Sequence, residues 1–336
     1  MGPSAIRIAA EDFVIPPEFR ELALASRSAG QIGGTRLSLV YSDGRTRLGD
    51  CYQQVPVRVL PAFHLGNEPA SLVYLINPTA GLMDGDGHLL EIAAGPGTQA
   101  VVTSQSATRI HPCPKNFSTQ QWRICAARDS QLVVLPGPTI PFRDARSYQR
   151  VDIELEAGAR FVWAEIWHPG RYDRGALSEK FEFTSLIQET HVRRTGRLVF
   201  RDRFHWRGPW TATASRWHFG PHLAAGSLFV AGPIDLESLQ SAVPESPQME
   251  SAVLPLESGD AIVRILGSPA DVTASVVRAA LVIAGRWSNT NAPPWLLESH
   301  ALAANHWFSA VPEERTSDVS PAPPIVRSAS ANAALG

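Results

Sequence analysis

The sequence predicts a mainly β, single-domain protein, with stacked β-sheets or a β-helical-like winding and two helices in its C-terminal half. From residue 36 to about residue 231 it consists of short strand-like runs separated by turn residues. Gly97, Ser130, Gly158 and Gly196 mark turns that recur after roughly thirty residues, a strand–turn–strand rhythm without a sequence repeat. No segment of helical length separates the runs, as a βαβ fold would require.

Each expected strand combines β-branched or other apolar residues with turn residues at its ends. The segment Ser42-Asp43-Gly44-Arg45 is typical of a hairpin, because glycine accepts the positive φ of a tight two-residue turn. Gly95-Pro96-Gly97 forms another turn. The sequence predicts strands at 36–41, 55–60, 71–76, 88–93, 99–103, 121–126, 131–136, 150–155 and 160–167.

Two helices are expected after the β-region. The first is short and covers residues 233–242. The second begins after Ser268, a good N-cap, with Pro269 at the first helical position and Asp271 in the first turn. Its apolar face consists of residues at helical spacing: Val272, Val276, Val277, Ala280, Leu281 and Ala284. A further helix is expected at 17–26.

Composition sets the domain boundaries. We expect residues 1–32 to form an N-terminal extension and 33–311 to form the β-rich domain. Residues 312–336 are rich in Pro, Ser and Ala and have few apolar anchors, so they are expected to be a disordered tail that folding does not require.

The bulk composition excludes several functions. Hydrophobic residues make up 44% and charged residues 18% of the 336 positions, which is typical of a globular protein with a sizeable core. The net charge of −2 predicts no nucleic-acid partner. Lys115 and Lys180 are the only lysines, so an enzyme with a Schiff-base lysine is not expected.

The cysteines and the N-terminus predict a cytoplasmic protein. Cys51, Cys113 and Cys125 are an odd number and form no Cys-x-x-Cys pair, which is typical of a reducing compartment. The N-terminus lacks the basic-then-apolar pattern of a signal peptide, and no run is long enough to span a bilayer. No membrane partner is expected.

Common enzyme signatures are absent from the sequence: there is no phosphate loop, no Gly-x-Ser-x-Gly elbow and no His-Glu-x-x-His motif. Residues 95–100 fit a Gly-x-Gly-x-x-Ala nucleotide fingerprint, but the next residues favour a strand where a phosphate-binding helix should start, so we interpret them as a β-turn. Residues 84–88 resemble the start of a calcium loop. Gly95 stands where the bidentate acid should be, so we interpret them as an Asp-rich turn that caps its own amides.

Two carboxylates fall on aromatic strand faces, because alternate residues of a strand share a face. Glu165 shares its face with Phe161, Trp163 and Trp167. In 197–207 the face opposite the arginines carries Leu198, Phe200, Asp202, Phe204 and Trp206. Burying a carboxylate among aromatic groups is costly unless it is paired, hydrogen-bonded, metal-bound or in contact with internal water. The two explanations are a buried arginine partner and a polar passage through the β-core, suited to a divalent cation.

Two other segments have alternative interpretations. Residues 193–210 are basic and aromatic, as in proteins that bind single-stranded nucleic acid, but a half-buried strand with a solvated arginine face explains their period of two better. His111 and Cys113 place an imidazole and a thiol two positions apart, which suits nickel, copper or zinc. Without a second close pair, they predict at most a transient metal contact, the alternative being an ordinary loop.

Three segments, in order along the chain, carry a family resemblance. They are Asn77-Pro78-Thr79-Ala80-Gly81-Leu82-Met83-Asp84-Gly85-Asp86, Gln105-Ser106-Ala107-Thr108-Arg109 and Leu135-Pro136-Gly137-Pro138-Thr139-Ile140-Pro141-Phe142. This order resembles the urease accessory protein UreD (UreH) family, which has Asn-Pro-x-Gly-Gly-Leu-x-Gly-Gly-Asp, Gln-x-Ala-Thr-Lys/Arg and Leu-Pro-x-x-x-Ile-x-Phe. Further similar positions are Glu165, Gly170-Arg171, Ser178-Glu179 and Asp202-Arg203. The chain differs from the family pattern at Ala80, at Asp84 and at Pro293-Pro294-Trp295.

The resemblance implies a non-catalytic urease maturation factor with a mainly β, stacked or β-helical fold. Such proteins join a helical partner, UreF, and a GTPase, UreG, and present them to apo-urease. GTP hydrolysis belongs to the GTPase, no cofactor is bound tightly, and nickel in transit passes through the scaffold's interior. The candidates for a transient nickel path are Asp86, Glu165, Glu179 and Asp202, with His111 and Cys113 as further metal contacts.

The alternative is a β-helical enzyme that acts on carbohydrate. Such an enzyme would use paired carboxylates, for which Asp86, Glu165 and Asp202 are the candidates. No pair with local spacing in the sequence requires this chemistry.

Overall fold

The computed structural model describes residues 7–24, 31–64, 69–173, 178–233, 235–243 and 246–287. The predicted tail, 312–336, lies outside the described residues.

The strands form two facing sheets. Numbered in chain order, the strands of the first sheet are, in spatial order, β15 (Arg197–Arg207), β14 (Ser185–Arg194), β12 (Arg146–Leu155), β9 (Ser118–Ala126), β6 (Gly87–Ala94), β1 (Ile32–Ser42) and β2 (Arg45–Gln54). Those of the second are β17 (Glu250–Pro255), β18 (Ala261–Gly267), β16 (Ala224–Ala231), β13 (Arg160–Trp167), β10 (Gln131–Leu135), β7 (Gln99–Ser104), β5 (Ser71–Ile76) and β3 (Arg58–Val59). Short strands β4 (Phe63–His64), β8 (Thr108–Ile110) and β11 (Thr139–Pro141) pair at its margin.

The middle of the chain winds as a β-helix. From β5 to β14 it alternates between the two sheets, and each long strand lies parallel to the previous long strand of its own sheet. Gln131 pairs with Gln99 on one side and with Arg160 on the other. Parallel neighbours need a long crossover, which is usually a helix. Here a strand of the opposite sheet makes the crossover, which explains the turn rhythm and confirms the predicted fold class.

The main apolar core fills the space between the sheets, and a second core lies on the outer face of the second sheet. Helices α2 (Leu236–Ala242) and α3 (Pro269–Trp287), the two that the sequence predicted, cover that outer face. The Ser268 hydroxyl accepts a hydrogen bond from the amide of Asp271 at 3.1 Å, so the predicted N-cap is confirmed. A third helix, α1 (Ala212–Phe219), was not predicted because it is short and presents no apolar stripe.

Two predictions of local structure are wrong. The helix at 17–26 is, in its described part, only a 3₁₀ turn at Pro17–Phe19, after another at Ala10–Asp12. This segment instead runs along the outer face of the first sheet, where the Gln54 and Gln121 side chains accept from the Ile8 and Val14 amides, both at 3.0 Å. The strand at 55–60 shrinks to β3, since Pro56 has no amide proton to donate.

No helix in the described residues is long and apolar enough to cross a membrane.

Candidate functional site

A layer of polar side chains crosses the interior of the sandwich. The polar layer consists of Glu165, Ser227 and Arg264 on the second sheet and Gln188, Thr190 and Asp202 on the first. Glu165 pairs in register with Ser227, and Ser227 with Arg264, while Thr190 pairs with Asp202 on the opposite sheet. The layer separates the main core from an aromatic cluster at one end of the sandwich, built around Trp167, Phe204 and Trp206.

Glu165 lies at the centre of the polar layer. Its Oε1 accepts hydrogen bonds from Trp163 Nε1 at 2.5 Å, Gln188 Nε2 at 2.6 Å and Thr190 Oγ1 at 2.8 Å. Burial raises the pKa of this carboxyl, and the nearby Asp202 raises it further, while the Trp163 and Thr190 hydrogen bonds oppose the rise. Because β13 is an inner strand, the part of Glu165 that remains accessible faces the space between the sheets.

Asp202 has the arginine partner that one of the two explanations required. Arg264 Nη2 lies 2.5 Å from Asp202 Oδ2, and Arg264 Nη1 donates to Ser227 Oγ at 3.0 Å. The Asp202 side chain is 30% exposed and the Arg264 side chain is 40% exposed. Within the described residues Glu165 makes no ion pair. The two acids therefore differ: Asp202 is half of an ion pair, and Glu165 is held by neutral donors.

The ion pair gives a prediction for Asp202→Asn. This change leaves Arg264 without its counter-ion inside the polar layer, so we expect a loss of about 1–3 kcal/mol in the free energy of unfolding, reduced by partial exposure. Urea unfolding of the wild type, Asp202→Asn, Arg264→Gln and the double variant measures the coupling. If the stability losses of the two single variants simply add in the double variant, Asp202 and Arg264 are not coupled and the ion-pair assignment is wrong.

A row of four polar side chains leads along the first sheet to the polar layer. His88, Gln120, Gln149 and Gln188 occupy registered positions on β6, β9, β12 and β14. Each lies on the inner face, since Leu90, Trp122, Val151 and Val192 of the same strands belong to the core. Neighbouring strands are about 4.8 Å apart, so the side chains follow one another at that spacing. The Oε1 atom of Gln188 has no hydrogen-bond partner.

The three resemblance segments stack at one edge of the winding. Leu82 bridges to Ile110, and Ile110 pairs with Pro141, so each segment is the corner of a successive coil. Asn77 closes its own turn, because its Oδ1 accepts from the Thr79 hydroxyl at 2.8 Å. Gly81 has a φ of 138°, and a Cβ there would lie 2.3 Å from the carbonyl oxygen of Arg109.

A cavity of about 50 Å³ lies behind these corners. All three segments contribute to it, through Asn77, Gly81, Gln105, Arg109 and Pro136. Its inner wall contains Leu90, Trp122 and the first two members of the row, His88 and Gln120. The cavity therefore joins exposed loop residues to the outer end of the row.

The sequence did not predict the row or this cavity. Their members lie in four different coils, and only the parallel register brings them together. The usable signal was a polar residue at the start of each apolar strand face, for example His88 before Leu90 and Gln120 before Trp122.

The remaining predicted carboxylates hold loops in place. Asp86 is buried, and its carboxylate accepts from the amides of Gln31 at 2.6 Å and Met83 at 2.7 Å, which is the capping role expected for this turn. Burial raises its pKa, and the two amides oppose the rise. Glu179 forms an ion pair with Arg171 and accepts from the amide of Arg143 at 3.0 Å. The Arg171 hydrogen bond lowers its pKa.

His111 and Cys113 lie in the loop after β8. His111 Nε2 is 3.0 Å from the carbonyl oxygen of Ala80, and the Cys113 thiol donates to the carbonyl oxygen of His111 at 3.4 Å. Burial raises the pKa of Cys113 to about 11, so the thiol stays protonated near neutral pH and is a poor metal ligand. No group of three or more His, Cys, Asp or Glu side chains in the described ranges could hold a metal ion.

Fold and site together define a β-helical protein whose apolar interior is crossed by a layer of polar side chains, with a cavity behind the loops at one edge. Comparison with known sequences identifies its family. The chain belongs to the UreD urease accessory protein family, whose sequence model matches residues 31–297.

Individual relatives agree. The urease accessory protein UreD of Natronomonas pharaonis is 32% identical over 70% of this chain and 80% of its own length. The UreD protein of Sporosarcina pasteurii is 27% identical over 68% of this chain and 90% of its own length. UreD 2 of Synechococcus sp. strain JA-3-3Ab is 35% identical over 54% of this chain and 67% of its own length. The match spans only 58% and 54% of two further UreD 2 proteins, from Streptomyces griseus and Methylorubrum extorquens.

Proposed function

We propose that this protein is a cytoplasmic, non-catalytic scaffold for urease maturation, and that nickel passes through its interior on the way to apo-urease. The observation that carries the proposal is Glu165, a carboxylate inside a β-core that neutral donors hold and that forms no ion pair with a described residue. Such a group attracts a divalent cation while binding it loosely enough for release.

The row of polar side chains supports a route to Glu165. His88, Gln120 and Gln149 offer nitrogen or oxygen lone pairs at strand spacing, and Gln188 joins the row to the carboxylate through its 2.6 Å hydrogen bond. Oxygen and imidazole ligands spaced in this way suit a metal ion that moves between weak sites. Of the predicted path residues, Glu165 and Asp202 lie in the polar layer, while Asp86 and Glu179 stabilise loops.

Family membership supports the partners that we propose. They are a UreF-like helical protein, a UreG-like GTPase and apo-urease, with GTP hydrolysis assigned to the GTPase. Neither nucleic acid nor a membrane belongs to this assembly. The protein holds no cofactor tightly, and nickel is its cargo.

The geometry does not favour a carbohydrate-active enzyme. Asp86 accepts hydrogen bonds from the amide of Met83 in its own turn and from the amide of Gln31 just before β1, and Asp202 is paired with Arg264. Glu165 faces the space between two sheets, where a glycan chain has no room.

A reconstitution experiment tests the proposal. Purified protein, UreF-like and UreG-like partners, apo-urease, GTP and Ni²⁺ should give active urease and a co-purifying complex, and omission of this chain should abolish activation. The isolated chain should hydrolyse neither GTP, urea nor glycans. Turnover by the isolated chain that is lost in Glu165→Gln would refute the proposal and support the enzyme.

A further inference from the structure

His88 is a buried imidazole without a hydrogen-bond partner. It is 1% exposed, and neither Nδ1 nor Nε2 has a partner. Leaving a buried polar atom unpaired costs stability, so an unpartnered side chain in a packed core calls for a functional explanation. Of the other buried histidines in the described residues, His168 contacts Thr273 Oγ1 at 3.2 Å and His191 Nδ1 lies 3.3 Å from Asp152 Oδ1.

The imidazole lines the cavity behind the loop corners. The opposite wall comes from exposed residues, among them Gln105 and Arg109, and the inner wall also contains Gln120. About 50 Å³ is room for more than one water-sized species, since one needs roughly 10–15 Å³. The cavity therefore extends from the exposed loop residues to the wall in which His88 is buried.

We propose that His88 is a nitrogen ligand for a divalent transition-metal ion, in a site at the outer end of the row. The inference rests on the proposed function for the identity of the ion, which is Ni²⁺. Imidazole is a preferred ligand of nickel, and amide oxygen atoms such as that of Gln120 can complete a weak site.

The state of the imidazole fits this role. Neither ring nitrogen of His88 donates to or accepts from another described residue, so the fold leaves the hydrogen-bonding and lone-pair capacity of the imidazole unused. The single imidazole also suits a transit site, because a tight site would need several such ligands.

The test is Ni²⁺ binding by the full-length protein, measured by calorimetry and by X-ray absorption at the nickel edge. His88→Leu replaces the imidazole by an apolar group of similar volume. We expect Ni²⁺ affinity to fall by at least the ~10-fold that loss of even an outer-sphere partner causes. The imidazole scattering should disappear, and thermal stability should be unchanged or higher, because an unpaired polar group is removed.

His64→Gln is the matched control, since it removes a partly buried imidazole that contacts the Ser71 hydroxyl at 3.4 Å and does not line the cavity. It should leave Ni²⁺ binding unchanged. If His88→Leu does not fold, His88→Gln gives the same readout with a polar side chain.

The outcomes separate this inference from the proposed function. If the wild type binds no Ni²⁺, or binds it as tightly as the folded His88 variants do, the site is refuted, whatever the reconstitution shows. If the wild type binds Ni²⁺ through His88 but does not support urease activation, the site stands and the proposed function fails.

Discussion

Glu165→Gln should leave the protein folded and assembled with its partners but reduce the yield of active urease by about tenfold at limiting nickel. Gln keeps an Oε1 atom that can accept from Trp163, Gln188 and Thr190, so the hydrogen bonds survive. What disappears is the charge, and a charge in a low-dielectric passage raises the local concentration of a counter-ion by roughly 10-fold or more. Added nickel should therefore restore part of the activity.

Glu165→Gln should change the free energy of unfolding in the direction opposite to the change caused by the loss of an ion pair. Burial raises the pKa of Glu165, so the unfolded chain releases this proton at lower pH than the folded protein does. The wild type consequently loses stability as pH rises from the ordinary glutamate pKa through the raised value. Gln does not titrate, so the free energy of unfolding of Glu165→Gln should match that of the wild type at low pH and exceed it at neutral pH.

Glu91→Gln is the matched control. Glu91 lies on the outer face of the first sheet, where it contacts Arg36 and is 2.8 Å from Arg123 Nη1. Its neutralisation should lower stability modestly and leave the nickel dependence of urease activation unchanged. Normal activation by Glu165→Gln at limiting nickel would rule out the ion route, whereas misfolding of Glu165→Gln would show that the carboxylate is structural.

Periodicity predicted most of the long strands up to β13 and the strand at 197–207, but it gave no range for β2, β14, β16, β17 or β18. In the strands that it predicted, it also gave the faces of the side chains. A period of two placed Glu165 and Asp202 inside, and the structure confirms both positions. Leu198 is the exception, at 48% exposed, because a bulge in β15 opposite Val192 and Arg193 shifts the alternation. A bulge adds one residue to one strand, and nothing in the local sequence announces it.

The partners of the interior acids could not be predicted. Arg264 lies on β18, which follows β15 after four further strands and helices, and it reaches Asp202 only because the two sheets face each other. The sequence contains many arginines, and periodicity gives each of them a face but no neighbour on the opposite sheet. The same limit hid His88, whose missing hydrogen-bond partners are a property of its surroundings.

Gly81→Ala should be the most destabilising of these changes, by about 2–4 kcal/mol. The φ of 138° at Gly81 is one that residues with a Cβ rarely adopt, and the added carbon would lie 2.3 Å from the carbonyl oxygen of Arg109. That oxygen accepts the hydrogen bond from the Leu82 amide at 2.8 Å. The first two loop corners must therefore move apart, which deforms the cavity next to His88.

Gly44→Ala separates this clash from the cost of backbone conformation. Gly44 also has a positive φ, 78°, but a Cβ there would meet no atom within 4 Å. It should cost only about 1 kcal/mol, the usual penalty for a residue with a Cβ in the left-handed region. Urea unfolding gives both values, and Ni²⁺ binding should weaken in Gly81→Ala alone. If the two variants lose the same stability, the first two loop corners are not in close contact. The position of the cavity at the outer end of the row would then lack its structural basis.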